Sequence, residues 1–253
     1  MISQYIGPIG SGKSYHALED IFAHLKKGLY VIANFPLNFT ERMIRMGYAD
    51  RFLFLPDNFL EDESGVGVFL HLSEKYKFNE FTNLCLVVLD EAGGVFPPDQ
   101  STSPAQKTWK DFFKQSRKLG YDFMLIMQDE KEINRTILSC VEYKVVHRKA
   151  NSIFPFNLLP FTVFMHITYW KQSRQRLKSG STIFVKSFSK LYDTHQLFGS
   201  LKNVDALIDL SKYDFNVSFG NCRPDLMNDG DLGGEPVGGT QVAVSHEVSG
   251  KQA

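Results

Sequence analysis

Two uninterrupted or nearly uninterrupted apolar runs stand out along the chain: residues 84–89 (LCLVVL) and 121–127 (YDFMLIM). Runs of this length without alternation are what a strand covered on both faces produces, the usual situation in a parallel sheet. Residues 2–6, 29–35 (closed by Pro36), 51–55 and 141–147 read as further strands. Between them the apolar spacing becomes helical. A helix is predicted over 15–26, with Lys26 and Lys27 in its last turn and Gly28 ending it. A second is predicted over 40–46 with Thr40 as its cap. A third, over 68–77, follows an acidic loop at 58–67. Residues 105–119 form an amphipathic pattern that carries Trp109, Phe112 and Phe113 on one side and stops at Gly120, after a polar loop at 97–104. A short helix is expected over 130–139. Strand and helix alternate, which predicts an α/β fold: a mostly parallel central sheet flanked by helices, with right-handed crossovers.

The pattern changes after about residue 150. Two β-rich segments, 161–170 and 182–188, are joined by a polar, basic linker at 171–181, which reads as a long hairpin. Residues 191–210 are expected as helix or loop. From Gly220 the chain is rich in Gly, Asp, Asn and Ser, so a disordered tail is expected. The predicted organisation is a core over 1–150, a β-hairpin and helical extension packed on it over 151–219, and a Gly-rich tail over 220–253.

Composition narrows the function classes. Hydrophobic residues make up 43% of 253, enough to bury a core without disulfides. Lysine plus arginine equals aspartate plus glutamate at 28 each, so a globally basic nucleic-acid binder is not indicated. Cys85, Cys140 and Cys222 are too widely spaced for a metal site or a disulfide framework, and a reducing cytosol is the natural compartment. Met1 leads almost directly into the first strand, so no signal peptide is expected. Residues 153–170 are the one membrane-span candidate, and Pro155, Asn157, Pro160 and His166 break it.

The chemistry begins after the first strand. Gly7, Pro8, Ile9, Gly10, Ser11, Gly12, Lys13 and Ser14 fit G-x-x-x-x-G-K-[ST], a phosphate-binding loop opening a helix. Glycines leave backbone N–H groups free to face a polyphosphate. Lys13 supplies a point charge for the β- and γ-phosphates, and the Ser14 hydroxyl a Mg²⁺ ligand. Tyr15 continues the loop into the helix whose positive end faces the anion. The candidate cofactors are ATP and Mg²⁺.

The strand over 84–89 ends in Asp90 and Glu91. Beside a phosphate loop this reads as a Walker B strand, with Asp90 orienting the Mg²⁺ shell and Glu91 as general base. Gln128, at the tip of the next strand, reads either as a sensor of the γ-phosphate and attacking water or as a solvated strand end. Arg117 precedes that strand and reads either as an arginine finger for a neighbouring subunit or as a cation at a helix C-terminus.

Gly7 to Ser14, the segments LVVLDEAGGVFP and SRKLGYDFMLIMQDEKEINRTI, and Lys190-Leu191-Tyr192-Asp193 together resemble the zonular occludens toxin-like family, which includes filamentous-phage assembly ATPases. The resemblance covers roughly residues 1–200. It implies a ring-forming HerA/FtsK-type P-loop ATPase in which an arginine of an Arg-x-x-Gly segment acts in trans. Arg117 with Gly120 fits that pattern, and Arg135 and Arg148 are the fallbacks. Family members usually carry a transmembrane helix after the ATPase region, whereas a polar tail is expected here, so either this is a cytosolic short form or membrane contact comes through a partner.

The expected function is an ATP-hydrolysing ring motor, a homo-oligomer of hexamer type. It would drive filamentous virion assembly and export from the cytoplasm, at the inner face of the host membrane. Phage assembly or coat proteins, and single-stranded DNA or its nucleoprotein complex, are the expected partners. The alternatives are a nucleotide-gated interaction protein with little turnover, or a DNA-pumping translocase. A small-molecule kinase would need an arginine-bearing lid, and 58–67 contains no arginine. Lys171, Arg174, Arg176 and Lys178 would crowd a hairpin tip, either to touch phosphates or as a solvated turn. His147, His166 and His195 are expected to be isolated structural or surface residues.

Overall fold

The computed structural model describes residues 1–60, 64–152, 156–192 and 219–220. Along the chain it places β1 (Ile2–Ile6), α1 (Lys13–Lys26), β2 (Tyr30–Ala33), α2 (Glu41–Arg45), β3 (Phe52–Phe54), α3 (Ser64–Lys75), β4 (Cys85–Leu89), α4 (Ala92–Val95), α5 (Pro104–Gln115), β5 (Tyr121–Met127), α6 (Arg135–Leu138), β6 (Tyr143–Lys149), β7 (Val163–Trp170), β8 (Arg176–Ile183) and α7 (Lys186–Ser189). The strands form one eight-stranded sheet in the order β3-β2-β4-β5-β1-β6-β7-β8. The first six run parallel and β7 and β8 run antiparallel, so the expected mostly parallel sheet with flanking helices is what the chain forms.

The unalternating strands have a simple cause. In β4, Cys85, Val87 and Leu89 enter one core with Trp109, Phe112 and Phe113 of α5, while Leu86 and Val88 enter the other with Leu18, Ile21 and Leu25 of α1. In β5, Phe123, Leu125 and Met127 face the first core, Met124 and Ile126 the second. Helices cover both faces, so both phases of the period-two pattern must be apolar. Trp109 is fully buried and its indole N–H donates to the Leu60 carbonyl at 3.1 Å, which satisfies its one polar atom.

Several boundaries differ from the sequence reading. Helix α3 begins at Ser64, so 64–67 are helical where a loop was expected. Gly65 and Gly67 suggest loop, yet a Cβ on Gly65 would meet the Phe59 carbonyl at 2.7 Å. That glycine is there for close approach, not for a turn. The helix expected over 130–139 is a short 3₁₀ turn at Glu130–Glu132 and a separate α6. Asn134 divides them by leaving helical geometry and accepting the Thr136 N–H at 2.8 Å.

The hairpin is also tighter than expected. Its linker shrinks to 171–175, and most of the basic segment is strand β8. Arg176 and Lys178 therefore lie on that strand, away from the tip. Lys171 turns inward to the Leu138 carbonyl, and Arg176 Nη2 donates to Ser179 Oγ at 2.8 Å. Of the second β-rich segment, 182–188, only the first two residues remain in a strand, and α7 follows. Leu191 and Tyr192 dock onto the core, and His195 and the rest of 191–210 lie outside the described residues. Gly220, where the tail was expected to begin, donates its N–H to the Phe52 carbonyl on edge strand β3 at 2.9 Å. Phe219 meets Tyr30, Tyr76 and Phe78 edge-to-face. Among the described residues no helix is long and apolar enough to cross a membrane.

The histidines are the largest departure. His147 of β6 and His166 of β7 are not isolated: both meet His16 of α1. His16 Nδ1 lies 2.9 Å from His147 Nε2, and the His16 and His166 rings stack at 3.8 Å. His147 Nδ1 faces the Ile6 carbonyl at 3.3 Å, so this nitrogen carries the proton and Nε2 accepts from His16. Burial lowers the pKa of His147 to about 3 and of His16 to about 4, with the other histidines and nearby Lys178 and Lys13 adding to the effect and Asp20 opposing it for His16. Folded-state values below the ordinary 6.5 mean that the unfolded chain takes up these protons first. Stability is therefore intact above about pH 6.5 and is lost as pH falls toward 4, each histidine contributing up to about 1.4 kcal/mol per pH unit. Urea unfolding midpoints measured between pH 4 and 7 check this, and His147→Gln is expected to flatten the slope.

Candidate functional site

The strand order brings the candidate residues together. The P-loop leaves the end of β1, β5 lies directly beside β1, and β4 lies beside β5. Ile6 is level with Met127, and Leu89 with Leu125. The chain therefore exits toward the same edge at Gly7, Gln128 and Asp90, although these positions lie far apart in sequence.

The loop turns through Gly10 (φ 73°) and Gly12 (φ 91°) before α1 starts at Lys13, two residues earlier than the spacing suggests. A left-handed residue followed by helix is the geometry of an anion-binding nest. Gly12 has a second reason to lack a side chain: a Cβ there would meet the Phe164 ring at 2.4 Å. Lys13 Nζ donates to the Gly7 carbonyl at 2.7 Å and the Pro8 carbonyl at 3.1 Å, arching over the loop. Partial burial lowers its pKa, and Asp90, Glu132 and Glu91 pull the other way. Ile9 projects from the loop at 83% exposure.

Asp90 is the most connected group in the site. Its Oδ2 accepts the Ser14 hydroxyl at 3.0 Å and the Tyr192 hydroxyl at 3.0 Å, and its Oδ1 accepts the Glu91 N–H at 2.9 Å. Its backbone is held by buried Asn34, which donates to the Asp90 carbonyl at 2.8 Å and accepts the Asp90 N–H at 2.7 Å. The second Asn34 amide proton goes to Asp57 Oδ1 at 2.8 Å. Glu91 follows in a left-handed conformation (φ 49°), an uncommon one for a non-glycine residue, which turns its carboxylate out of the strand at the N-terminus of α4. Desolvation raises the Glu91 pKa, with Asp90 and Glu132 adding to the rise and Lys13 opposing it.

A cavity of about 820 Å³ joins Gly10 to Tyr15, Asp90, Glu91, Gln128 and Glu132 to Phe164 and Phe184. Gln128 is exposed at its rim, and its N–H donates to Glu132 Oε2 at 2.9 Å. Arg117 is not brought to this cavity. It is exposed at the opposite end of β5, a strand of seven residues, roughly 20 Å away at ~3.3 Å per residue. Arg135 and Arg148 are exposed and also outside its lining. Pro8 and Gly7 belong to the loop but sit behind the lining residues.

Sequence reasoning missed Asn34, Glu132, Tyr192, Phe164 and Phe184. Asn34 had a signal, as the only polar side chain in VIANF. Glu132 lies one helical spacing beyond Gln128, in QDEKE. Tyr192 is about a hundred residues from Asp90; it stands in the Lys190-Leu191-Tyr192-Asp193 segment that carries the family resemblance, but nothing in that segment points to a contact with Asp90.

Asn34→Ala is expected to leave the buried Asp90 N–H and carbonyl unpaired, at a cost of about 1–3 kcal/mol for each orphaned group. Chemical denaturation of the variant checks the loss, and a change under about 0.5 kcal/mol would contradict the clamp.

No curated protein matches the chain. The N-terminal domain of zonular occludens toxin from Neisseria meningitidis is similar at 16% identity and TM-score 0.47, over 76% of this chain and 98% of that one. B204, the DNA-packaging ATPase from Sulfolobus turreted icosahedral virus, is similar at 17% identity and TM-score 0.49, over 70% and 95%. The family model described as zonular occludens toxin (Zot) matches residues 1–184, and the chain belongs to that family.

Proposed function

We propose that the protein is an ATP-hydrolysing ring motor, a hexamer-type homo-oligomer. In this reading it drives assembly and export of a filamentous virion from the cytoplasmic face of the host membrane. The observation that carries the hydrolytic reading is the Ser14–Asp90 contact at 3.0 Å with Glu91 directly beside it. A hydroxyl on the phosphate loop and a carboxylate on the neighbouring strand share one point in space, and Mg²⁺ sites of nucleotide enzymes are built that way, from few protein oxygens plus phosphates and water. When bound, Mg²⁺ would neutralise developing charge on the β- and γ-phosphates.

The chain's own residues divide the remaining work. The loop from Gly7 to Ser14 wraps the phosphates, its residues other than Pro8 offering backbone N–H groups, and Lys13 swings from the loop carbonyls to the β- and γ-oxygens. The site residues of the motif, Pro8, Ile9 and Tyr15 included, contribute main chain to this cradle. Ser14 and Asp90 hold the metal shell. Glu91 accepts a proton from water as its oxygen bonds the γ-phosphorus and the bond to the β–γ bridging oxygen breaks, with ADP as the leaving group, and Gln128 orients that water and reports the γ-phosphate. Arg117, remote from its own cavity, stabilises the transition state on a neighbouring subunit. Phage coat or assembly proteins and single-stranded DNA are the proposed partners, with membrane contact made through one of them.

Glu91→Gln is expected to bind ATP as the wild type does and to lose at least about a hundredfold in turnover. Retained turnover in a steady-state assay would remove Glu91 from this role. Because its carboxylate must be ionised to accept the proton, the rate falls on the acid side. For the trans arginine, Arg117→Ala and Lys13→Ala subunits are each expected to be inactive alone and to regain partial activity when mixed. Failure of every mixture, with both variants still assembling, would refute the intersubunit site.

A further inference from the structure

The nucleotide cavity has two chemically different walls, and the hydrolytic reading uses only one of them. β5 and β4 lie on one side of β1, and β6, β7 and β8 on the other. The P-loop, leaving β1, sits between. On the β5/β4 side stand Gln128, Glu132, Asp90 and Glu91, where the γ-phosphate must go if Glu91 activates water. On the other side the cavity is lined by Phe164 of β7 and Phe184, which follows β8, next to Tyr15 of α1. The three rings form one group: Tyr15 to Phe184 is 5.5 Å, Tyr15 to Phe164 5.7 Å, and Phe164 to Phe184 6.1 Å at 83°.

These rings are not there to fill a core. Phe184 is 37% exposed and Phe164 half-buried, in a chain whose other phenylalanines largely sit in the two cores. They are also held in place. The Tyr15 hydroxyl accepts the Val185 N–H at 3.1 Å and contacts the Ile183 carbonyl at 3.3 Å, which fixes the backbone on both sides of Phe184. Phe164 lies directly on Gly12, the left-handed glycine before Lys13. Two partly exposed rings at 83° to each other, rigidly mounted at the end of a phosphate loop, let a flat base stack on one and meet the other edge-on.

We propose that Phe164 and Phe184, with Tyr15 behind them, form the nucleobase subsite, so that the hairpin beyond residue 150 completes the nucleotide site. This rests on the reading of Gly7 to Ser14 as a triphosphate cradle. The triphosphate runs across the loop from Glu91 toward Tyr15, and the ring system of the nucleotide lies against the two phenylalanines. The cavity, at about 820 Å³, falls within the ~300–1,000 Å³ typical of sites that enclose a whole small molecule. The ligand class is a purine nucleoside triphosphate, held by stacking of its flat base.

Equilibrium binding on the full chain tests this, with a non-hydrolysable ATP analogue and inorganic tripolyphosphate as the two ligands. Phe184→Ala and Phe164→Leu are expected to weaken the analogue about tenfold, the size of one base–aromatic stack. Tripolyphosphate, which has no base, is expected to bind within twofold of wild type. Lys13→Ala weakens both ligands. Phe184→Trp, which keeps a stacking face, is expected to bind normally and to show indole quenching with the analogue but not with tripolyphosphate. If both phenylalanine variants bind the analogue as wild type, the rings belong to another contact and the subsite is wrong. An equal loss for both ligands would mean that Phe164 only shapes the loop, which also overturns it. If wild type binds neither ligand, the phosphate cradle itself fails and takes the subsite with it.

Discussion

The carboxylate of Asp90 is the junction on which the site depends. It is 7% exposed and receives hydrogen bonds from three separate stretches: the P-loop through Ser14, its own strand exit through the Glu91 N–H, and the segment after the hairpin through Tyr192. A buried carboxylate is tolerated only when its oxygens are satisfied, and here each donor comes from a segment that must be in register for the others to reach. Asn34 extends the same logic to the backbone, tying the end of β2 to the end of β4. The geometry of the nucleotide edge and the closure of the sheet are thus one requirement.

This explains why the strand order matters more than any single motif. With β5 between β1 and β4, the phosphate loop and the acidic pair are separated by one strand spacing on each side, about 4.8 Å. Gln128 leaves the middle strand between them. An adjacent β1–β4 pair would leave no such position, and the polar strand tip would have to come from elsewhere.

What was legible in the sequence follows from how local each cause is. LCLVVL and YDFMLIM announce buried strands because both faces are covered, and GPIGSGKS announces the loop because glycines and a lysine must be contiguous to surround a phosphate. Resemblance carried the family, as the match over residues 1–184 bears out. Features made by distant packing were not legible. Gly65 looked like a loop residue because the Phe59 carbonyl that requires it belongs to another segment. The basic run at 171–178 looked like a tip, because nothing within it shows that β7 will pair with 176–183 after a short turn. The histidines looked unrelated because α1, β6 and β7 meet only in three dimensions. The contact of Tyr192 with Asp90, and the place of the two phenylalanines at the cavity, were hidden for the same reason.

Helix α1 joins these separate features mechanically. Its first turn carries Lys13, which donates to the loop carbonyls, Ser14, which donates to Asp90, and Tyr15, which holds the chain leaving β8. The next turn carries His16, stacked on His166, and Glu19, which accepts the Thr182 hydroxyl at 2.9 Å. One short rigid rod therefore has the phosphate loop at its tip and the hairpin along its flank. Packed interfaces shift as units and do not deform gradually, so a displacement of the helix start is a displacement of the hairpin. Neither end can be redesigned alone: a substitution that loosens β7 from α1 also loosens the Phe164 ring that rests on Gly12, and through it the backbone of the loop.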